Sequence, residues 1–123
     1  MPVLVIDAAN VIGSRPDGWW RNRPQAARRF TGQVRAAVAA GRLDPPVTVV
    51  LEGQARAGVE EVITDGVEIV HAPGQADDTI AALAEQHNDD VVVVTADREL
   101  TARAYAANAT VLRPSWLLDR LTD

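Results

Sequence analysis

Short runs of branched apolar residues recur along the chain, separated by longer stretches whose apolar positions fall at helical spacing. VLVI (3–6), VTVVL (47–51), VEIVH (67–71), VVVVT (91–95) and ATVLR (109–113) are short and mostly apolar without strict alternation. That is the pattern of strands buried on both faces. A helix is predicted from Pro24, acting as a first-turn residue with Asn22 or Arg23 near the cap, to a stop at Gly41. Within it Ala27, Phe30, Val34, Ala37 and Val38 share one face, while Gln25, Arg28, Arg29 and Arg35 lie largely elsewhere. Further helices are predicted over about 75–87 and 98–107, and over 114–121 with Pro114 in the first turn. GSRPDGWWRNR (13–23) carries loop signals at Gly13, Pro16 and Gly18.

Strands that alternate with helices, each strand apolar on both sides, imply a parallel sheet covered on both faces. The expected fold is α/β: a three-layer α/β/α sandwich on a mainly parallel five-stranded sheet. The 123 residues form one domain, 1–123, with no repeat, low-complexity tract or linker. A chain of this length buries roughly two-thirds of the surface it exposes when unfolded, so it needs no covalent staple.

Composition then removes whole classes of chemistry. With no cysteine there is no disulfide, thiolate metal site or cysteine nucleophile, and the usage suits a reducing cytoplasm. Two histidines, His71 and His87, are too few for a histidine-rich zinc site. No signal peptide or membrane-spanning run is visible, so a soluble cytoplasmic protein is expected. All twelve basic residues are arginine, which excludes any mechanism that needs lysine. The net charge of −5 is unevenly spread, with residues 1–42 at +5 and residues 43–123 at −10. A chain-wide basic footprint for nucleic acid is therefore missing, but a local arginine-rich face is available.

In an open parallel sheet, ligands bind in the crevice at the carboxyl ends of the strands. Asp7 ends the first strand, Glu52 follows the second, Asp97 follows the fourth, and Asp77 and Asp78 open the helix after the third. Segments ninety residues apart thus bring carboxylates to one rim. Close carboxylates repel and raise one another's pKa unless a cation neutralises them. Oxygen-only ligation selects hard ions, Mg²⁺ or Mn²⁺, which typically serve phosphoryl chemistry. Simpler readings exist for most members: Asp77 and Asp78 suit the positive end of a helix, Asp97 suits an N-cap, and Glu52 suits a solvated strand end. Asp7 resists such a reading, because no helix start is evident directly after it.

VIDAANVIG, APGQADDTIAAL and VVVVTADREL, in this order and at these spacings, resemble the PIN-like nucleases, specifically the NYN-domain group of YacP-like predicted ribonucleases. The resemblance spans essentially the whole chain. It implies a metal-dependent nuclease domain acting on RNA. The family's first-strand aspartate falls on Asp7 and its companion asparagine on Asn10. The acidic residue opening the helix after the third strand falls on Asp77, with Asp78 beside it, and the later aspartate falls on Asp97. Where many PIN domains carry a further aspartate, this chain has Glu99. Related YacP-like proteins also carry a DGWWR-type loop, which places Trp19, Trp20 and Arg21 on the substrate side.

The expected activity is endonucleolytic hydrolysis of RNA to a 5′-phosphate and a 3′-hydroxyl. Asp7, Asp77 and Asp97 would hold one or two Mg²⁺ or Mn²⁺ ions, and Asn10 would orient a water or a phosphate oxygen. Asp78, Glu52 and Glu99 would assist from behind. Arg15, Arg21 and Arg23 lie just beyond Asp7, placed to take phosphates, and Trp19 or Trp20 can stack on a base. The expected partner is RNA, single-stranded, with a ribosome or protein as a further candidate. The alternative is a catalytically silent PIN-like module that binds RNA or protein. Receiver domains and haloacid-dehalogenase-type phosphatases need a lysine that this chain lacks, and Ala9 occupies the position of the phosphatases' second aspartate.

Overall fold

The computed structural model describes residues 2–87 and 90–122. In chain order the elements are β1 (Val3–Asp7), α1 (Ala8–Gly13), α2 (Arg23–Ala39), β2 (Val47–Leu51), β3 (Ile63–Thr64), β4 (Val67–His71), α3 (Ala76–Gln86), β5 (Val91–Val94), α4 (Arg98–Ala106), β6 (Thr110–Leu112) and α5 (Pro114–Leu121). Two 3₁₀ turns, Trp19–Arg21 and Gly53–Gly58, complete the set. Among the described residues no helix is long and apolar enough to cross a membrane.

The sheet has six strands in the order β3-β4-β2-β1-β5-β6. All neighbours are parallel except β3, which pairs antiparallel with β4. The five expected strands are present, and β3 corrects the count. It arises at an Asp-Gly turn, where Asp65 (φ 52°) and Gly66 (φ 84°) both adopt left-handed backbone and reverse the chain.

Because the strands are continuously apolar, each supplies side chains to two cores. Leu4 and Ile6 of β1, with Val47, Val49 and Leu51 of β2, pack beneath α1, α2 and α5, around Phe30, Val34 and Leu117. Val5, Val50, Val91 and Val93 pack on the other face, beneath α3 and α4, against Ile80, Ala84, Leu100 and Ala104. Each fully buried Val, Leu, Ile or Phe contributes about 1.5–3 kcal/mol from removal of apolar surface from water. Asn22 caps α2, its side chain accepting from Gln25 N, with Pro24 in the first turn.

This winding determines where a ligand can sit. From β1 the chain steps to β2 and β4 on one side, then returns to place β5 on the other. The crossovers diverge at β1, so a crevice opens at the carboxyl ends of β1 and its neighbours. Asp7 ends the strand at that position.

Candidate functional site

A cleft of about 320 Å³ at this point is lined by Asp7, Ala9, Asn10, Glu52, Gln75, Asp77 and Asp97. Four of the expected carboxylates and the expected asparagine are thereby brought together, from segments following β1, β2, β4 and β5. Asp78 and Glu99 do not line it. Both are exposed, and Asp78 accepts a 2.9 Å hydrogen bond from Arg103 Nη1. That bond, with the nearby charges of Asp77 and Glu99, raises the Arg103 guanidinium above its ordinary pKa.

The structure corrects the expectation from sequence for Asp7. A helix does start directly after it: Asp7 is the N-cap of α1, and its Oδ1 accepts from Asn10 N at 3.4 Å. The other oxygen, Oδ2, accepts from Thr95 Oγ1 at 3.0 Å. Only 6% of the residue is exposed, and this burial pushes its pKa up from 3.8 to about 6. The Thr95 and Asn10 hydrogen bonds oppose the rise, whereas the charges of Glu52 and Asp97 add to it.

Thr95, which is not among the residues expected from the sequence, links two of the carboxylates. Besides donating to Asp7, its hydroxyl accepts from Asp97 N at 3.1 Å, and the residue is buried. Its signal is the same as that of Asp7, a polar residue closing an apolar run. Asn10 Oδ1 accepts from Ala96 N at 2.8 Å, so α1 and the 95–97 segment are pinned from both sides. Asp97 caps α4, as its place before that helix suggests, accepting from Leu100 N through Oδ1 at 2.8 Å. Its Oδ2 carries no hydrogen bond from the described residues.

Asp77 completes the set. Its Oδ2 lies 3.9 Å from Arg103 Nη1, while Oδ1 is buried and has no hydrogen-bond partner among the described residues. An unsatisfied buried acceptor costs about 1–3 kcal/mol, more when charged, so Oδ1 calls for a donor or a cation. The donor set is entirely oxygen, which fits Mg²⁺ or Mn²⁺ and not a softer metal. Among the described residues, however, no three His, Cys, Asp or Glu side chains form a ready-made ligand group. The carboxylates line an open cleft instead of closing a cage. This geometry suits Mg²⁺, which keeps several waters and is commonly held by one or two carboxylates together with substrate phosphate.

The aromatic loop adjoins the cleft. Ala9 and Glu52 also line a second hollow of about 220 Å³, together with Trp19, Arg23, Gln54 and others. The Arg23 guanidinium lies 5.4 Å from the Trp19 ring centroid, and that of Arg21 lies 5.7 Å from Trp20. Trp19 and Trp20 meet edge to face at 5.9 Å. Trp19 packs partly against the core, as a loop anchor would, while Trp20 is 54% exposed. Arg15 lines neither hollow; it donates to Gln33 Oε1 at 2.8 Å and lies over Phe30. Trp116 packs against the core beneath α5, with Arg120 stacked 4.1 Å from its ring centroid.

No family model matches the sequence, and no curated relative matches it. Solved structures match in three dimensions, two of them of one protein. One is Rae1 (YacP) from Bacillus subtilis, 22% identical, with a TM-score of 0.76 over 98% of this chain and 74% of that one. A point mutant of the same protein gives 22% identity and a TM-score of 0.73 over 98% and 75% of the two chains. At this identity the likeness establishes architecture: the chain has the α/β fold of Rae1 (YacP) over nearly its whole length.

Proposed function

We propose that the protein is a YacP-like, metal-dependent endoribonuclease that cuts single-stranded RNA at the Asp7, Asp77 and Asp97 cleft. One observation carries the reading. Carboxylates from distant segments converge on the rim position where the sheet's winding reverses, and one of them, Asp77, keeps a buried oxygen with no hydrogen-bond partner among the described residues. A fold gains nothing by gathering like charges in one cleft unless something positive is to neutralise them. The PIN-like resemblance of the motifs and the fold shared with Rae1 (YacP) support the same reading.

Asp7, Asp77 and Asp97 would hold the ion, with Glu52 close enough to act through water. A divalent cation there would supply Lewis acidity to a phosphodiester and lower the pKa of an attacking water. The chain's own residues set the geometry around it. Thr95 fixes the rotamer of Asp7 and tethers the Asp97 backbone, and Asn10 ties Ala96 to α1. Burial keeps Asp7 protonated to a higher pH than an ordinary carboxyl, so below about pH 6 a cation held there would have to compete with its proton. Arg23 and Trp19, in the adjoining hollow, would take a phosphate and a base of the incoming strand.

The test is incubation of a 5′-labelled single-stranded RNA with the protein in Mg²⁺ or Mn²⁺ and, separately, in EDTA. Internal cuts bearing 5′-phosphate ends in metal alone are the expected outcome. Binding without cuts in any metal would favour the silent-module reading, and release of mononucleotides from free substrates would redirect it to nucleotide hydrolysis.

A further inference from the structure

A much larger cleft lies on the opposite flank of the carboxylates, and the proposed chemistry uses none of its charged or aromatic residues. It has a volume of about 720 Å³ and runs between α4 and α5, over the edge strand β6. Arg98, Thr101 and Tyr105 form one wall, at positions i, i+3 and i+7 of α4, so the helix turns all three to the same side. Arg113, the N-cap of α5, and Ser115 form the other, and Ser14 at the end of α1 closes one end.

The charge of this surface is opposite to that of the central cleft. No acidic residue lines it among the described residues, whereas four line the centre. The side chains of Arg98 and Arg113 make no hydrogen bond or ion pair with the described residues, although the Arg113 carbonyl accepts from Trp116 N at 3.0 Å. The other arginine of α4, Arg103, is by contrast engaged with Asp77 and Asp78. Tyr105 leaves a large ring 60% exposed at the cleft. Two free guanidiniums beside an exposed aromatic ring are the usual equipment for a single strand, one for its phosphates and the other for a base face.

The cleft also neighbours the carboxylates, although the two linings share no residue. Thr95 and Ala96 belong to its wall, and these are the residues hydrogen-bonded to Asp7 and Asn10. Asp97 stands between Ala96 and Arg98 in the chain. A strand lying across the rim would therefore pass from the Trp19 and Arg23 hollow over the acidic centre into this cleft, and leave at the sheet's edge. A polyanion crossing four carboxylates needs cationic holds on both sides, and the first flank alone supplies one.

We propose that the α4–α5 cleft is a second binding subsite for single-stranded RNA, in which Arg98 and Arg113 hold backbone phosphates and Tyr105 stacks on a base. This inference rests on the nuclease reading above. The test measures fluorescence anisotropy of a labelled single-stranded RNA in Mg²⁺, on an Asp7→Asn background so that the probe stays intact. Arg98→Ala and Arg113→Ala should each weaken binding roughly threefold to tenfold, and each should flatten the log–log salt dependence by about 0.7 for every phosphate no longer held. Tyr105→Ala should weaken it roughly fivefold or more, and Tyr105→Phe should restore it, since the stacking face is kept. The melting curves of these exposed-site variants should match their parent.

If the Arg98→Ala/Arg113→Ala double variant binds with unchanged affinity and slope, the subsite is refuted. Metal-dependent cleavage by the otherwise unaltered protein would still uphold the nuclease reading in that case. If an acidic polypeptide displaces the RNA as well as unlabelled RNA does, and depends on the same arginines, the cleft is a protein-docking surface and the RNA assignment falls. Failure of the Asp7→Asn parent to bind RNA at all, together with no cleavage by the unaltered protein, overturns both readings.

Discussion

Replacing Asp7 with asparagine should stabilise the metal-free protein at neutral pH and destabilise it slightly, by about 1 kcal/mol, in acid. Asp7 is 6% exposed, and its pKa rises from 3.8 to about 6 because burial penalises the charged form. A raised carboxyl pKa means that the folded state binds the proton more tightly than the unfolded state does. The favourable contribution is complete below the unfolded value of 3.8 and is lost as pH climbs through about 6. Above that range the ionised carboxylate costs the fold roughly 3 kcal/mol, at about 1.4 kcal/mol per pKa unit.

Asparagine removes the charge and retains an acceptor for Asn10 N, but it weakens the bond from Thr95, a loss of about 1 kcal/mol. The net gain is roughly 2 kcal/mol near pH 8, or on the order of 5–10 °C in Tm for a domain of this size. Urea or thermal unfolding in EDTA, with both proteins measured from about pH 3.5 to pH 8, reads the difference directly. Every other carboxylate is common to the two, so the pH dependence of the difference comes mainly from position 7 and its charge coupling to Glu52 and Asp97. A stability gap that stays flat across this range, or an asparagine variant that is less stable at neutral pH, would refute the reasoning.

Thr95→Val should cost about 1–2 kcal/mol, since it leaves Asp7 Oδ2 and Asp97 N without their buried partner, and should move the rise of the cleavage pH profile upward because that bond lowers the Asp7 pKa; Thr95→Ser should restore both. Asp97→Asn should melt like the unaltered protein while abolishing cleavage, whereas Asp97→Ala should also lose about 1 kcal/mol with the cap of α4, so equal melting curves for the two would show that the cap is dispensable. Gly58→Ala should destabilise by roughly 1–3 kcal/mol as measured by urea midpoint, because a methyl group there would collide with the Pro24 carbonyl that α2 presents to it.

The strands are legible in the sequence because a parallel strand buried on both faces has no alternation to obscure it: VTVVL and VVVVT announce themselves. β3 is not, since Ile63 and Thr64 are both exposed and only the Asp65-Gly66 pair marks the reversal. Helix α1 is more instructive. Asp7 reads as chemistry because it ends a strand, yet the same carboxylate caps the six-residue helix that follows without an intervening loop. A candidate site residue that also caps a helix gives one signal for both readings.

The rim cluster of Asp7, Asn10, Asp77 and Asp97 is readable from strand ends alone, because in this topology a strand's carboxyl end is an address. The pairing of Arg103 with Asp78 is not. It depends on how α3 packs beside α4, and no spacing in the chain encodes that. The α4–α5 cleft is hidden for the same reason, its two arginines lying fifteen residues apart on different helices.

The most direct measurement is a titration of Mn²⁺ into the unaltered protein and into Asp7→Asn, following melting temperature and cuts in an end-labelled single-stranded RNA in the same samples. Stabilisation and cleavage that rise together with metal in the unaltered protein, and are absent from the variant, are the predicted result. Equal metal response in the two proteins, or cuts that persist in EDTA, would contradict a catalytic role for the carboxylate cleft.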